Sequence, residues 1–411
     1  MSAAARPDMI RNACPSLAAP MATGDGLLVR LKPLPSGLSG GQWLALASAA
    51  QAHGNGRLEI SSRGNIQIRG LQANSVLPLA TAITAADIKI AAGPAIDCPP
   101  LSNTDHSGRS AITTLAEHLR SAIVSADLGH RLAAKTSIVI EGDSPFTLAD
   151  LIADLRLCKN AGGWQVSVGG NRRRGKIIGQ VSDEAALPVA LKLLTCIAAR
   201  GPHARGRDLD TDDFRALATT GLVPVKRSTM PPMTPTSLGP LALPDAAWAV
   251  VLQPAFGALD SKNLRQLSTQ LAVFGDLRMH PAAGKKLVIE PLAADQVERL
   301  IEMAGRFGFI VGDDDRRQQL QICVGAPGCA QAHMDTQAVA QTIADSLNQS
   351  ARIHVSGCAK ACARPAQFDA EILGHAAGVT ITGGTAKALP DSLNSLLETA
   401  LRHACSDRRI M

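Results

Sequence analysis

The 411-residue chain has no tyrosine, and aromatic residues make up only 2% of it. Proteins that hold single-stranded nucleic acid stack bases on aromatic rings, so this composition argues against that class. Charge is also sparse: 18% of residues are Asp, Glu, Lys or Arg, with a formal excess of +6. So small an excess suits an anionic small ligand better than a long phosphate backbone. No run approaches the roughly 18 apolar residues of a membrane-spanning helix, and no basic n-region followed by an apolar h-region opens the chain. The expectation is a reduced, cytoplasmic protein that binds neither nucleic acid nor membrane.

Apolar residues are plentiful, at 46%, and are mostly Ala, Leu, Ile and Val. A chain of this length and apolar content folds, and into more than one domain. The nine cysteines are odd in number and loosely spaced, which does not describe a disulfide scaffold. Cys14, Cys98, Cys158, Cys196 and Cys405 read as isolated small hydrophobes, with Cys14 in R-N-A-C-P the one worth watching. The other four cluster late.

An internal repeat organises the chain. Laying Val29 over Val250 brings two stretches into register without a gap. Leu31 then meets Leu252, Pro33 meets Pro254, Leu38 meets Leu259, Leu46 meets Leu267 and Gly54 meets Gly275. Further on, Ile68 meets Ile289 and Leu71 meets Leu292. In each copy the apolar period changes from about 2 to about 3.6 and back, as in a β-α-β unit. Looser matches follow, between Ala111–Ser121 and Ala340–Leu347, and between residues 137–143 and 352–358. The second of these sets Asp143 where the later copy has Cys358. The proline-rich stretch Lys226–Pro240 reads as the linker between two α/β halves.

The second half contains Cys323-x5-Cys329 in Q-I-C-V-G-A-P-G-C and Cys358-x3-Cys362 in S-G-C-A-K-A-C. Between the pairs lie an amphipathic stretch, D-T-Q-A-V-A-Q-T-I-A-D-S-L, and a short strand, R-I-H-V. Each pair is thus expected at a loop or helix start beside the ends of parallel strands, where α/β sheets bind ligands. A helix start lowers a thiol's pKa, and nearby glycines Gly325, Gly328 and Gly357 let the backbone come close. Four thiolates suit structural zinc or an iron–sulfur cluster, and x5 followed by x3 is not the usual short-knuckle zinc spacing.

That pattern resembles the 4Fe-4S motif of the siroheme nitrite and sulfite reductase superfamily. Within it the chain most resembles the precorrin-3B synthase family of aerobic cobalamin synthesis. The likeness lies in R-N-A-C-P-S-L-A-A-P-M-A-T-G-D-G-L-L-V-R, H-G-N-G-R-L-E-I-S-S-R-G-N-I-Q-I-R-G-L, C-V-G-A-P-G-C-A-Q-A and H-V-S-G-C-A-K-A-C-A-R-P, and it spans both halves.

The resemblance implies an α/β (α+β), internally duplicated nitrite/sulfite reductase-like fold. Its parts would be a ferredoxin-like half-domain over 1–72, an α/β domain without cluster cysteines over 73–225, a linker over 226–240, a second half-domain over 241–311 and a cluster-bearing α/β domain over 312–411. It implies a 4Fe-4S cluster on Cys323, Cys329, Cys358 and Cys362, and Arg63 as first choice for a substrate-carboxylate ligand, with Arg69, Arg30 and Lys135 behind it. It further implies O2-dependent hydroxylation and lactone formation on precorrin-3A, with a mononuclear non-haem iron associated with the family. Electrons would come from NADH through a separate reductase, since no G-x-G-x-x-G follows a strand. A monomer is the default.

Two departures separate the chain from the reductases themselves. They usually show C-P-N-x-C where this chain has C-A-K-A-C, and two lysines where L-A-A-K-T-S keeps Lys135 and replaces the second with Ser137. Reducing an oxyanion needs that dense positive field and proton supply, and here it is thinned. The rival readings are a siroheme-dependent sulfite or nitrite reductase and a non-catalytic, tetrapyrrole-binding or zinc-stabilised relative. Asn171–Lys176 reads as a solvated hairpin and Asp313–Arg317 as an exposed, locally paired turn. The histidines of Asp105-His106, His333-x-Asp335 and His354 form no facial-triad motif.

Overall fold

Ser39 and Asp260 occupy matching places in the two repeats, and each starts a helix. The Ser39 hydroxyl accepts from the Gln42 N–H (3.2 Å) while Gln42 Oε1 accepts from the Ser39 N–H (3.0 Å). The Asp260 carboxylate accepts from the N–H groups of Lys262 and Asn263. Both arrangements satisfy donors that a helix start leaves unpaired. In this computed structural model the described residues are 15–101, 109–142, 144, 146–215, 217, 220–225, 236–348, 350–365, 367–384 and 390–406. Cys14, Asp105, His106 and Asp143 lie outside them, as does the side chain of Cys405.

The first repeat contributes β1 (Met21–Thr23), β2 (Gly26–Leu31), β3 (Leu38–Ser39), α1 (Gly40–His53), β4 (Arg57–Ile60), β5 (Ile66–Leu71) and α2 (Val76–Ala85). A larger unit follows with β6 (Ala95–Asp97), α3 (Arg109–Ser125), β7 (Ser137–Glu141), β8 (Ala153–Asn160), β9 (Gly163–Gly170), β10 (Lys176–Val181), α4 (Asp183–Ala199) and α5 (Thr211–Arg215). The second repeat runs β11 (Gly239–Ala242), β12 (Trp248–Pro254), β13 (Ala258–Asp260), α6 (Ser261–Leu271), β14 (Arg278–Ala282), β15 (Lys286–Leu292), α7 (Ala294–Arg306) and β16 (Phe309–Ile310). The last unit holds β17 (Leu320–Ile322), α8 (Thr336–Ser346), β18 (Ile353–Ser356), β19 (Ala370–His375), β20 (Gly378–Gly383) and α9 (Asp391–Ser406).

The sheets confirm the repeat and add an exchange. The first ferredoxin-like sheet has the order β1-β2-β5-β4-β13, and the second β11-β12-β15-β14-β3, with β16 also on β12. Each sheet therefore takes its last strand from the other repeat: Leu259 pairs with Leu58, and Leu38 with Met279. The helices α1 and α6 pack on one another, and Trp43, wholly buried, donates its indole N–H to the Met279 carbonyl (3.1 Å). Apolar residues of both repeats, from Val29 to Ile88 and from Val250 to Phe309, form one continuous core.

The two larger units are likewise copies. In one, β6, β7 and β8 run parallel and β9 turns back; in the other, β17, β18 and β19 run parallel and β20 turns back. Helices α3 and α8 occupy the same crossover. Pro240 sits within β11, although its stretch reads as linker, because β11 is an edge strand that can spare an N–H. No helix among the described residues is long and apolar enough to cross a membrane.

Candidate functional site

Cys323 directly follows β17, and Cys358 lies two residues beyond β18, so both open loops at the ends of adjacent parallel strands. Of the loop and the helix start that the sequence left open, the structure has a loop at both pairs. Residues 323–335 and 357–365 are turns and bends, and α8 begins only at Thr336. The thiols receive their donors from the loops instead: the Gly357 N–H donates to Cys323 Sγ (3.2 Å), and the Ser356 hydroxyl lies 3.8 Å from the same sulfur. The loops are bonded together, Thr336 Oγ1 donating to the Cys323 carbonyl (2.8 Å) and the His333 N–H to the Gly357 carbonyl (2.7 Å).

These residues fit an iron–sulfur cluster. All four cysteines are thiols; Cys323, Cys329 and Cys358 are partly exposed and Cys362 is exposed, unlike Cys158, which is wholly buried. A cysteine serving as a small hydrophobe would look like Cys158. The backbone around the sulfurs is stripped of side chains. A Cβ on Gly24, in the turn between β1 and β2, would stand 2.5 Å from Cys329 Sγ, and one on Gly357 would stand 2.7 Å from Ala332 Cβ. Among the described residues no three His, Cys, Asp or Glu side chains converge on one metal-ion position. Four thiolates on the corners of a cubane, each bound to its own iron, need no such convergence.

Facing the first thiol loop is the polar side of β2, β4 and β5. Arg30 donates to Gln67 Oε1 (3.0 Å), Gln67 Nε2 to Glu59 Oε2 (3.3 Å), and Arg69 Nη1 to the same Glu59 oxygen (3.4 Å). Arg69 also makes a two-pronged pair with Asp25 (2.9 Å each). Burial works to raise the Asp25 pKa, but Arg69 prevails and holds it below the usual carboxylate range. This face and the turn beside it reach the first thiol loop twice. Arg57, beside Glu59, donates to the Val324 carbonyl (3.3 Å), and the Gly24 carbonyl accepts from the Ala330 N–H (3.2 Å).

Of the four basic residues expected to meet substrate, the structure brings Arg30 and Arg69 onto this one face. Arg63 lies elsewhere. The turn Ser61–Asn65, with Gly64 at a φ of +77°, breaks the alternation that would align Arg63 with Arg69. Arg63 instead grips Asp97 at the end of β6 (2.6 Å), a carboxylate also paired with Lys32, and donates to the Ile152 carbonyl (2.8 Å). Burial works against the Asp97 charge, yet Lys32 and Arg63 together keep its pKa below the ordinary value. Ser137 donates to the same Ile152 carbonyl (3.3 Å), so Arg63 and the Lys135–Ser137 stretch meet at one place, where Lys135 is exposed. Arg63, Lys32 and Asp97 line a cleft with Cys98, Arg120 and His280.

Sequence reading missed Arg57, Asp25, Glu59 and Asp97, the partners that fix these arginines. It also treated the first copy as free of cysteine at the cluster position. Cys98 follows β6 as Cys323 follows β17, and matching the strand ends would have found it. Burial pushes the Cys98 thiol up to about 12, so it stays protonated. Where the later copy has thiol loops, the first has Leu101, Phe146 and Leu148 packed against Leu238, Leu243, Val251 and Ile310. His354 is buried on Glu371 (2.8 Å), itself held by Arg364, and His333 is exposed. Asn171–Lys176 is a hairpin turn as expected, except that Arg172 turns its guanidinium inward. Asp315 and Arg317 pair locally.

Comparison with known proteins bears on the fold and the family. The model of the nitrite/sulfite reductase ferredoxin-like half domain matches residues 19–86. A curated protein named precorrin-3B synthase, from a Sinorhizobium species, is 35% identical over 396 residues, spanning 93% of this chain and 85% of its own length. Among solved structures, the Mycobacterium tuberculosis NirA protein superposes with a TM-score of 0.65 at 17% identity, over 89% of this chain and 77% of that one, a likeness of fold.

Proposed function

The chain belongs to the precorrin-3B synthase family, and from that premise we propose that it converts precorrin-3A to precorrin-3B with O2. One oxygen atom enters the product as a hydroxyl group while a ring acetate closes a lactone. The other leaves as water, taking two electrons that originate in NADH and arrive through a separate reductase, together with two protons, the second of them from solvent.

The observation that carries this reading is the joining of the first thiol loop to an arginine-bearing strand face through Arg57 and Gly24. Cys323, Cys329, Cys358 and Cys362 would hold a 4Fe-4S cluster. When bound, it supplies one-electron transfer. Everything else falls to the chain. Arg63 has five N–H donors, and three of them are engaged with Asp97 and Ile152. The remainder, with Lys135 at the rim, suit the carboxylate arms of a tetrapyrrole, and Asp97 fixes the direction in which Arg63 presents them. Arg30 and Arg69 set the charge of the facing strand surface and are themselves held by Gln67, Glu59 and Asp25.

The test is anaerobic purification, iron and acid-labile sulfide analysis, then incubation with precorrin-3A, reductant and ¹⁸O2. The expected result is four iron and four sulfide per chain and a product carrying a single labelled oxygen. Zinc without sulfide would refute the cluster. Strong red absorption bands of a bound siroheme, with sulfite or nitrite consumed, would refute the oxygenation.

A further inference from the structure

Lys285 stands where the fold calls for glycine. The repeat register that lays Val29 over Val250 lays Gly64 over Lys285, and both residues adopt the left-handed conformation, at φ +77° and +63°. A side chain is disfavoured there, and Lys285 is held in that conformation in the turn between β14 and β15. The surroundings make room for this one: Gly284 precedes it, and its stem lies over Gly257, where an added Cβ would stand 2.8 Å from Lys285 Cδ.

The ammonium is well shielded, and burial lowers its pKa while Glu59 works in the other direction. Its hydrogen bond is to a neutral group, Gln321 Oε1 (3.2 Å), two residues before Cys323. Among the described residues no carboxylate lies within ion-pair distance of it. A shielded cation that Glu59 favours only from beyond ion-pair distance is costly to hold, and the backbone there also takes a conformation that disfavours a side chain. Lys285 is therefore aimed into the seam between the Glu59 face and the strand that delivers Cys323.

We propose that Lys285 binds a carboxylate of the tetrapyrrole substrate, pairing with it between the strand face and the first thiol loop. The inference rests on the tetrapyrrole reading above and adds a contact from the second repeat.

Uroporphyrin III, a carboxylate-rich porphyrin, serves as the probe. Its affinity for the full-length, cluster-loaded protein is read by fluorescence quenching, beside a thermal unfolding curve for each variant. Lys285→Met should weaken binding roughly tenfold, the loss of one charge-assisted contact, and flatten its salt dependence. Lys285→Arg should restore most of the affinity. Lys285→Gly should bind as weakly as Lys285→Met while unfolding no earlier than the native protein, because glycine relieves the strain. Native affinity in Lys285→Met or Lys285→Gly would overturn the inference alone. Failure of the native protein to bind the porphyrin would overturn the tetrapyrrole reading together with it.

Discussion

Asp97 shows how one residue decides what two others can do. It is 4% exposed, while Lys32 and Arg63 are 21% and 26% exposed, so three charged groups share a site that solvent reaches from one side. Removing the carboxylate strands two half-buried cations, and breaking a buried pair in this way costs about 3 kcal/mol. Asp97→Asn should lower stability by that amount in urea unfolding at pH 7. The pH dependence has a definite sign. Lys32 and Arg63 hold the folded Asp97 below the ordinary value, so its stabilising share is whole above about pH 5 and is lost as pH falls through the folded pKa. The native protein should therefore lose more stability between pH 7 and pH 3 than Asp97→Asn does. Equal losses would remove Asp97 from the account. Arg63 and the four cysteines could be singled out from the sequence as candidates because motif and spacing are local. Asp97 could not, because its partnership joins residues 34 apart in sequence through the closing of one sheet on another.

At the scale of elements, alternation and repeat register gave the strand–helix–strand unit at the centre of each ferredoxin-like sheet, though the closing strand of the first copy is two strands, β4 and β5. Alternation and register could not give the exchange between the two sheets. β3 has two residues and β13 three, too short for any period to register, and each is defined by a partner from the other repeat. The turn between β1 and β2 is a similar case. Thr23 Oγ1 bonds Asp25 and the Gly26 carbonyl, Asp25 holds Arg69, and this rigid corner presents Gly24 to Cys329. A methyl group there would push against the sulfur and leave the rest of the turn unchanged. Gly24→Ala should reduce iron and sulfide content by more than half after anaerobic reconstitution, with the far-ultraviolet circular dichroism of the native chain. Full cluster content in Gly24→Ala would show that the turn does not define the cysteine's position.

For the whole molecule, duplication sets both the architecture and its asymmetry. Each half supplies a ferredoxin-like sheet and a parallel-strand unit, and the junction between copies is a common core closed by reciprocal strands. The same two junctions between parallel-strand ends and sheet then diverged: one is sealed by Leu101, Phe146 and Leu148, the other lined with thiols. An apolar seal suits a wall that only has to hold, while the thiol loops leave backbone and sulfur open. Because Trp43, Leu46, Leu267 and Met279 meet across the halves, neither half alone can bury its apolar face or pair its outer strand. Exposed apolar surface and open strand edges lead to aggregation. Fragments 1–225 and 236–411 should each be insoluble when expressed alone. Expressed together, they should co-purify and unfold in a single transition seen alike by circular dichroism and cluster absorbance. A fragment that folds cooperatively by itself would mean that the common core is a contact between finished domains. The exchange of β3 and β13 argues the opposite, since each sheet is incomplete until the other repeat has arrived.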